Sequence, residues 1–305
     1  MEATIRDSRE ILIGKAFIVL SAIGFSSKSI LVKMAYADSA QVDAITLMTL
    51  RMMLALPFFL VVSLCSRGSQ ISGAGIWDWG LLTVLGVIGY YLASLLDLTG
   101  LEYISAGLER LILYLYPTIV VVLTALIYRQ PVTLATRRAL ILSYVGILLV
   151  FGCTPDAASS DSALGALLVL ASAVVFALFL IGSGQLIPRF GSRRFTAYSM
   201  SVACVATGVH FGVTRPIAQL MVSTNVFRLA LMLALFSTVA PAFLMNAGIR
   251  RVGAGQASVL SSIGPVATLA MAYVLLGETL EPIQVIGSAM VLGGVLLVSL
   301  SSRTR

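Results

Sequence analysis

The chain alternates long apolar runs with short polar breaks from one end to the other. Apolar runs near 12–35, 43–65, 77–98, 102–128, 138–154, 164–186, 196–214, 225–247, 253–276 and 282–301 are each close to the roughly 20 residues a helix needs to cross a hydrocarbon core. The breaks carry charge or turn chemistry: Asp38 to Asp43, Arg67-Gly68-Ser69, Arg129-Gln130-Pro131, Pro155 to Ser162, Pro188 to Arg194, Arg215-Pro216 and Glu281-Pro282. The pattern predicts an all-α integral membrane protein of ten transmembrane helices with short loops. The first run, from Ile11 past Ala22, is too long for a signal peptide and lacks a clear small-residue cleavage site, so it is expected to remain as the first helix.

Composition fixes the solvent. The 305 residues are 59% hydrophobic and 11% charged, where a soluble domain carries about a quarter charged residues. A chain this apolar is dissolved in a lipid bilayer and has no room for a sizeable soluble domain, which argues against a tethered enzyme or receptor. The net charge of +7 does not imply nucleic acid, because the basic residues are scattered between apolar runs. They obey the positive-inside rule instead. With the N-terminus in the cytoplasm, inside segments hold Arg6, Arg9, Lys15, Arg67, Arg129, Arg137, Arg138, Arg189, Arg193, Arg194, Arg250, Arg251, Arg303 and Arg305. Outside loops hold Arg215, with Arg228 near an outer helix end. A miscounted helix would invert every later loop, so both termini are expected inside. Cys65, Cys153 and Cys204 match no metal or redox spacing, and no motif asks for a cofactor.

The chain also repeats itself. A shift of 148 places Ala106-Gly107 on Ala254-Gly255, Pro117 on Pro265, Gly146 on Gly294 and Leu148-Leu149-Val150 on Leu296-Leu297-Val298. Near the start the offset is 151, and Gly14, Ser21-Ala22 and Phe25 meet Gly165, Ser172-Ala173 and Phe176. Five helices is an odd number, so the second copy enters the membrane from the opposite side. The expected organisation is two inverted five-helix halves, 1–154 and 155–305. Such repeats are typical of secondary transporters, with the site at their interface.

At this point the sequence resembles a known family. Leu276-Gly277-Glu278-Thr279-Leu280, followed by Gln284, Gly287 and Gly293-Gly294, is similar to the end of the second repeat in the EamA family of drug/metabolite transporters. The segments Ser105-Ala106-Gly107 through Pro117 and Gly253-Ala254-Gly255 through Pro265 resemble its paired fourth and ninth helices, and Arg51 matches an arginine often present in its second helix. The first repeat departs from the pattern, with Tyr128-Arg129-Gln130 where the family often repeats Gly-Glu. The resemblance implies ten helices around a central cavity lined mainly by helices 1, 3, 4, 6, 8 and 9. It also implies a bacterial inner-membrane location and export of amino acids or similar metabolites, without fixing one substrate.

Ionisable residues within spans cost roughly 2.5–3.5 kcal/mol each on insertion scales, so they face a cavity or a partner. Lys28, Arg51, Asp97, Glu109, Arg110 and His210 are of this kind. Helical rise places them in the outer half of the bilayer, Asp97 nearest the outer end, which favours a polar chamber opening outward. Tyr90, Ser94 and Asp97 share one face of the third helix, and Ser21, Gly24 and Lys28 one face of the first. Arg110, Tyr114 and Pro117 form a stripe on the fourth helix. Its equivalent on the ninth is Ser258, Ser262 and Pro265, small and hydroxylic, which gives a ligand room. The expected substrate-binding set is therefore Lys28, Tyr90, Ser94, Asp97, Glu109, Arg110, Tyr114, Ser258 and Ser262. Pro117 and Pro265 are candidate kinks or gates, and Glu109, Asp97 and His210 are candidates to carry a coupling proton.

Each has a plainer reading. Arg51 can snorkel to the surface, Asp97 can be an ordinary helix-end acid, His210 can be structural, and Lys28 with Glu109 can be a buried ion pair serving only cohesion. The function expected is alternating-access transport of an amino acid or similar small polar metabolite. Lys28 or Arg110 would meet a carboxylate, and Glu109 or Asp97 an amine. A multidrug or lipophilic-cation exporter is the alternative, though bases here are at least as numerous as acids. A membrane enzyme with a Ser–Lys dyad at Ser26, Ser27 or Ser29 beside Lys28 is remote, since no H-E-x-x-H or G-x-S-x-G motif accompanies it.

Overall fold

A computed structural model describes residues 2–39, 42–65, 74–127, 129, 134–152, 159–261, 263–279 and 281–301, and among these there is no strand. α1 is Glu2–Asp38 and α2 is Ala44–Cys65. α3 joins Ile76–Gly86, a π-helical turn Val87–Leu92 and Ala93–Tyr103. α4 is Ala106–Leu113, α5 Tyr116–Ile127, α6 Leu134–Gly152, α7 Ser160–Phe190 and α8 Ser192–Thr214. α9 joins Thr224–Ala234, a second π-helical turn Leu235–Val239 and Ala240–Ser261. α10 joins Ile263–Met271 and a π-helical turn Ala272–Leu276, and α11 is Pro282–Ser301. Among the described residues six helical stretches are long and apolar enough to cross a membrane, and shorter apolar helices accompany them.

Several boundaries differ from the hydropathy reading. α1 extends back to Glu2. The break at Pro188 to Arg194 shrinks to Gly191, whose φ of +77° ends α7, while Pro188 stays helical on an exposed face. The expected fourth span is two helices that part at Tyr114 and Leu115. Pro117 has no N–H to offer the Leu113 carbonyl and its ring crowds that group, so the ladder opens in front of it.

Small residues bring the helices together. The carbonyl of Pro241 on α9 accepts from Ser21 Oγ at 2.7 Å. A Cβ added to Gly248 would sit 2.9 Å from the Gly14 carbonyl and 2.5 Å from Ile18, so α1 and α9 cross antiparallel with backbones nearly touching. The direction then reverses. Ser26 Oγ donates to the Gly264 carbonyl at 2.7 Å, and Ala272 packs with Ile30, so α10 runs alongside α1 in the same sense. Helical backbone is unbroken from Ala240 to Ser261, yet the chain has turned back between Val252 and Gly264.

A matching set of contacts occurs elsewhere. Ser172 Oγ on α7 donates to the Ala93 carbonyl on α3 at 2.7 Å. A Cβ on Gly100 would lie 2.9 Å from the Gly165 carbonyl and 2.6 Å from Val169. α6 and α11 form a close pair, in which a Cβ on Gly146 would meet the Gly287 carbonyl at 2.6 Å and one on Gly294 the Ala139 carbonyl at 2.6 Å.

Candidate functional site

A chamber of about 340 Å³ lies within the bundle, at the small end of the ~300–1,000 Å³ usual for ligand pockets. Its walls come from α1 (Ala22, Phe25, Lys28), α2 (Arg51, Met52, Phe59), α3 (Gly89, Tyr90, Ala93, Ser94, Asp97) and α4 with the break after it (Arg110, Leu113, Tyr114). Tyr116, Ser172, Phe176, Thr196, Met200, Ser237, Thr238, Ala242, Met245 and Ser261 complete them. Two π-helical turns therefore face the chamber, one through Gly89 and Tyr90, the other through Ser237 and Thr238. A π turn widens the helix and re-aims the side chains around it, and such turns recur at functional sites.

The charged pole of the chamber is built on Lys28. Its ammonium is ion-paired to Asp97 and stands 3.7 Å from Glu109 Oε1. Glu109 is fully buried behind it and accepts from Ser29 Oγ at 2.5 Å. Asp97 is only 2% exposed, so it is a core group and not a helix-end acid. Arg51 is 4% exposed and faces the chamber instead of snorkelling. Arg110 Nη2 reaches Ser26 Oγ at 3.4 Å. Among the described residues the Nε atoms of Arg51 and Arg110 are buried without a hydrogen-bond partner, and neither arginine has a carboxylate in salt-bridge reach.

Aromatic rings form the belt below the charges. Tyr90 meets Phe179 edge-on at 4.8 Å between centroids, Tyr116 meets Phe176 at 5.3 Å, and Tyr114 meets Tyr116 at 6.2 Å. The structure thus gathers Lys28, Tyr90, Ser94, Asp97, Arg110 and Tyr114 around one space, with Glu109 directly behind. Ser21 and Gly24 turn instead toward α9, against Pro241 and Phe236. Pro117 opens α5 beside the break but does not line the chamber, and Pro265 is buried in the first turn of α10. His210 lies apart on α8, hydrogen-bonded through Nδ1 to the Tyr91 hydroxyl at 2.8 Å. The Ser258 side chain and Ser262 lie outside the described residues. The hydroxyls of Ser26, Ser27 and Ser29 are hydrogen-bonded to carbonyls, to Ser237 and to Glu109.

Hydropathy missed Phe176, Met200, Ser237 and Thr238. A signal existed for Phe176, the repeat partner of Phe25, since both line the chamber.

The sequence places the opening at the end marked by Asp43, and the structure closes it there. Leu31, Val32 and Ala35 of α1, Leu47 and Met48 of α2, Leu98 and Leu101 of α3, and Ala230 and Leu233 of α9 belong to one buried cluster that fills this end. Hydropathy fixes how deep these residues lie but not which way they face, and they face inward. Polar ties overlie the cluster. Arg215 Nε and Nη2 donate to Asp43 at 2.8 and 2.6 Å, and Asp38 accepts from Ser223 at 2.9 Å. Glu278 accepts from the Ala106 and Gly107 backbone N–H groups at 2.8 and 3.2 Å. A second cavity of about 280 Å³ lies beside this cap. Asp43 sits in the loop before α2. Burial alone would raise its pKa, but hydrogen bonds from Thr46 and the Arg215 guanidinium outweigh that and hold it below the ordinary aspartate value. Toward the opposite end, marked by Arg193, the chamber reaches Thr196, one turn into α8.

A bundle of membrane-length apolar helices enclosing a small chamber with a buried ion pair has the build that a membrane transporter needs. Residues 12–152 and 163–300 both match the EamA-like transporter family, and the chain belongs to that family. It is 34% identical over 296 residues, 95% of this chain and 92% of the relative, to a protein of Bacillus subtilis (strain 168) named uncharacterized transporter YcbK. It is 26% identical over 232 residues, covering 73% of this chain and 74% of the relative, to a protein of Salmonella typhimurium (strain LT2) named uncharacterized inner membrane transporter YicL. A crystal structure of a protein 16% identical superposes with a TM-score of 0.65, covering 97% of this chain and 98% of that one, which shows the fold.

Proposed function

We propose that the protein is a bacterial inner-membrane secondary transporter or facilitator of amino acids or similar small polar metabolites, working by alternating access around the central chamber. The observation that carries this reading is the chamber itself: small, aromatic-walled and charged at one pole, where a membrane bundle with no ligand to bind would be filled by apolar side chains. The name of the Salmonella relative supports the inner-membrane location. The basic residues support cytoplasmic termini.

The chain crosses ten times as two inverted halves, 1–154 and 155–305. Support comes from contacts that recur when residues are shifted by the sequence offsets of 148 and 151. Ser21 on Pro241 corresponds to Ser172 on Ala93, and Gly248 on Gly14 to Gly100 on Gly165. The π-helical turns at Val87–Leu92 and Leu235–Val239 match, as do the left-handed residues Arg129 and Gly277. The reversal between Val252 and Gly264 supports a separate ninth crossing. In this reading the structure is the state closed at the Asp43 end, and opening there breaks the Asp43–Arg215 and Glu278 ties while the Arg193 end packs together.

Two buried carboxylates share the one Lys28 ammonium, and a proton can replace its hold on either of them. Glu109 and Asp97 are accordingly the proton-coupling candidates, and the position of His210 outside the chamber makes it the weaker one. Uptake of a labelled amino-acid panel into proteoliposomes tests the reading. At least one member is expected to exceed empty vesicles, and a silent panel overturns the substrate class. Glu109→Gln is expected to abolish pH-driven uptake while sparing counterflow. Loss of both would assign Glu109 to binding or folding instead.

A further inference from the structure

The two halves of the chamber differ in chemistry at corresponding positions. Shifted by the repeat offsets, Lys28 falls on Phe179, Asp97 on Met245 and Glu109 on Ala257. Among the described residues the second half thus brings no charge to the chamber: it supplies the hydroxyls of Ser172, Thr196, Ser237, Thr238 and Ser261 and an apolar patch of Phe176, Met200 and Met245.

The charges are also unevenly used. Both carboxylates are engaged by Lys28, with Ser29 adding a hydrogen bond to Glu109. Arg51 and Arg110 have no carboxylate in salt-bridge reach among the described residues, and their buried Nε atoms lack hydrogen-bond partners. A buried guanidinium with no carboxylate in contact is costly, and a ligand carboxylate relieves that cost by accepting paired N–H donors. Asp97 Oδ1 and Glu109 Oε1 are buried without hydrogen-bond partners too, but both carboxylates already stand within 4 Å of the Lys28 ammonium. A ligand ammonium would have to share them with Lys28 in a chamber that also holds two guanidiniums.

We infer that the preferred substrate is an aromatic carboxylate without an amine. Its carboxylate is held by Arg51 and Arg110, and its ring lies among Phe176, Met200 and Met245. The inference rests on the transport reading and narrows its substrate class. It settles the anion on Arg110 with Arg51, where the sequence reading offered Lys28 or Arg110, and it removes the amine site.

Three probes sharing a phenyl ring on a two-carbon arm test it in proteoliposomes of the full chain at pH 7.5: 3-phenylpropionate, L-phenylalanine and phenethylamine. Phenylpropionate uptake above empty vesicles is expected to exceed that of phenylalanine by about tenfold, with phenethylamine at the empty-vesicle rate; tenfold corresponds to ~1.4 kcal/mol, roughly one hydrogen bond to a charged group. Arg51→Gln and Arg110→Gln, each checked for monodispersity, are expected to lower phenylpropionate uptake at least tenfold. Arg51→Lys should recover only part, since an ammonium lacks the planar fork. Phenylalanine moving as fast as phenylpropionate or faster overturns the inference and leaves the transport reading standing. So does unchanged uptake by both Gln variants. Silence of all three probes also overturns it, and the amino-acid or similar-metabolite class falls with it only if the amino-acid panel is silent as well.

Discussion

Lys28 holds two acids with one ammonium, and that imbalance governs what single substitutions do. Removing one partner of a buried ion pair typically costs about 3–5 kcal/mol, because the other charge is stranded, whereas replacing both with apolar residues of similar volume is often close to neutral. Lys28→Met is therefore expected to lower the melting temperature in detergent sharply, leaving Asp97 and Glu109 facing each other. Lys28→Met with Asp97→Leu should recover a large part of the loss. Additive losses in that double-mutant cycle would remove the pair from the account of stability. Asp43 gives a smaller effect of defined sign. Its pKa is held below the ordinary value of about 3.9 in the folded protein, so the stability it adds is present above the unfolded value and is lost as pH falls through the folded one. The gap in melting temperature between the parent and Asp43→Asn is expected to be steady from pH 7 to 5 and to close below about pH 4. The partly exposed Arg215 keeps that gap small. Residue identities were readable here before partners were. Lys28, Asp97 and Glu109 were all marked as charges within spans, and the expected Lys28–Glu109 pair is present. Adding Asp97 as the nearer partner required knowing how α1 and α3 are rotated.

Elements follow the same division between what hydropathy records and what packing decides. Span positions were legible because twenty apolar residues have few places to be other than lipid. The three π-helical turns were not, since nothing in Val87–Leu92 or Leu235–Val239 announces an extra residue in the turn. Rotation was equally hidden, which is why the filled Asp43 end came as a correction. One local departure was visible in sequence and acquires its cost from structure. Arg129, with a φ of +51°, corresponds to Gly277, with a φ of +68°. A side chain in left-handed backbone is strained by about 1–2 kcal/mol, part of which glycine gives back as unfolded-state entropy. Arg129→Gly is expected to stabilise the protein by roughly 1 kcal/mol, read as a higher melting temperature. A lower one would mean that the exposed arginine makes contacts worth more than its strain.

For the whole molecule, the pseudo-symmetry separates cohesion from chemistry. The glycine and serine crossings between the halves occur twice, while the chamber's charges come from one half. In the inverted arrangement proposed above, that division lets two similar halves hold an asymmetric ligand in one orientation. The α6–α11 pair carries the principle furthest, because it joins the last helix of each half through reciprocal glycine contacts and contributes no residue to the chamber. In genetic terms the gene is divisible. Cut between Gly152 and Ser159, it would encode two polypeptides that each end in one member of that pair. Co-expressed, the two pieces are expected to insert separately, co-purify through a tag on either one and restore uptake. Gly146→Leu in the first piece should abolish that reunion.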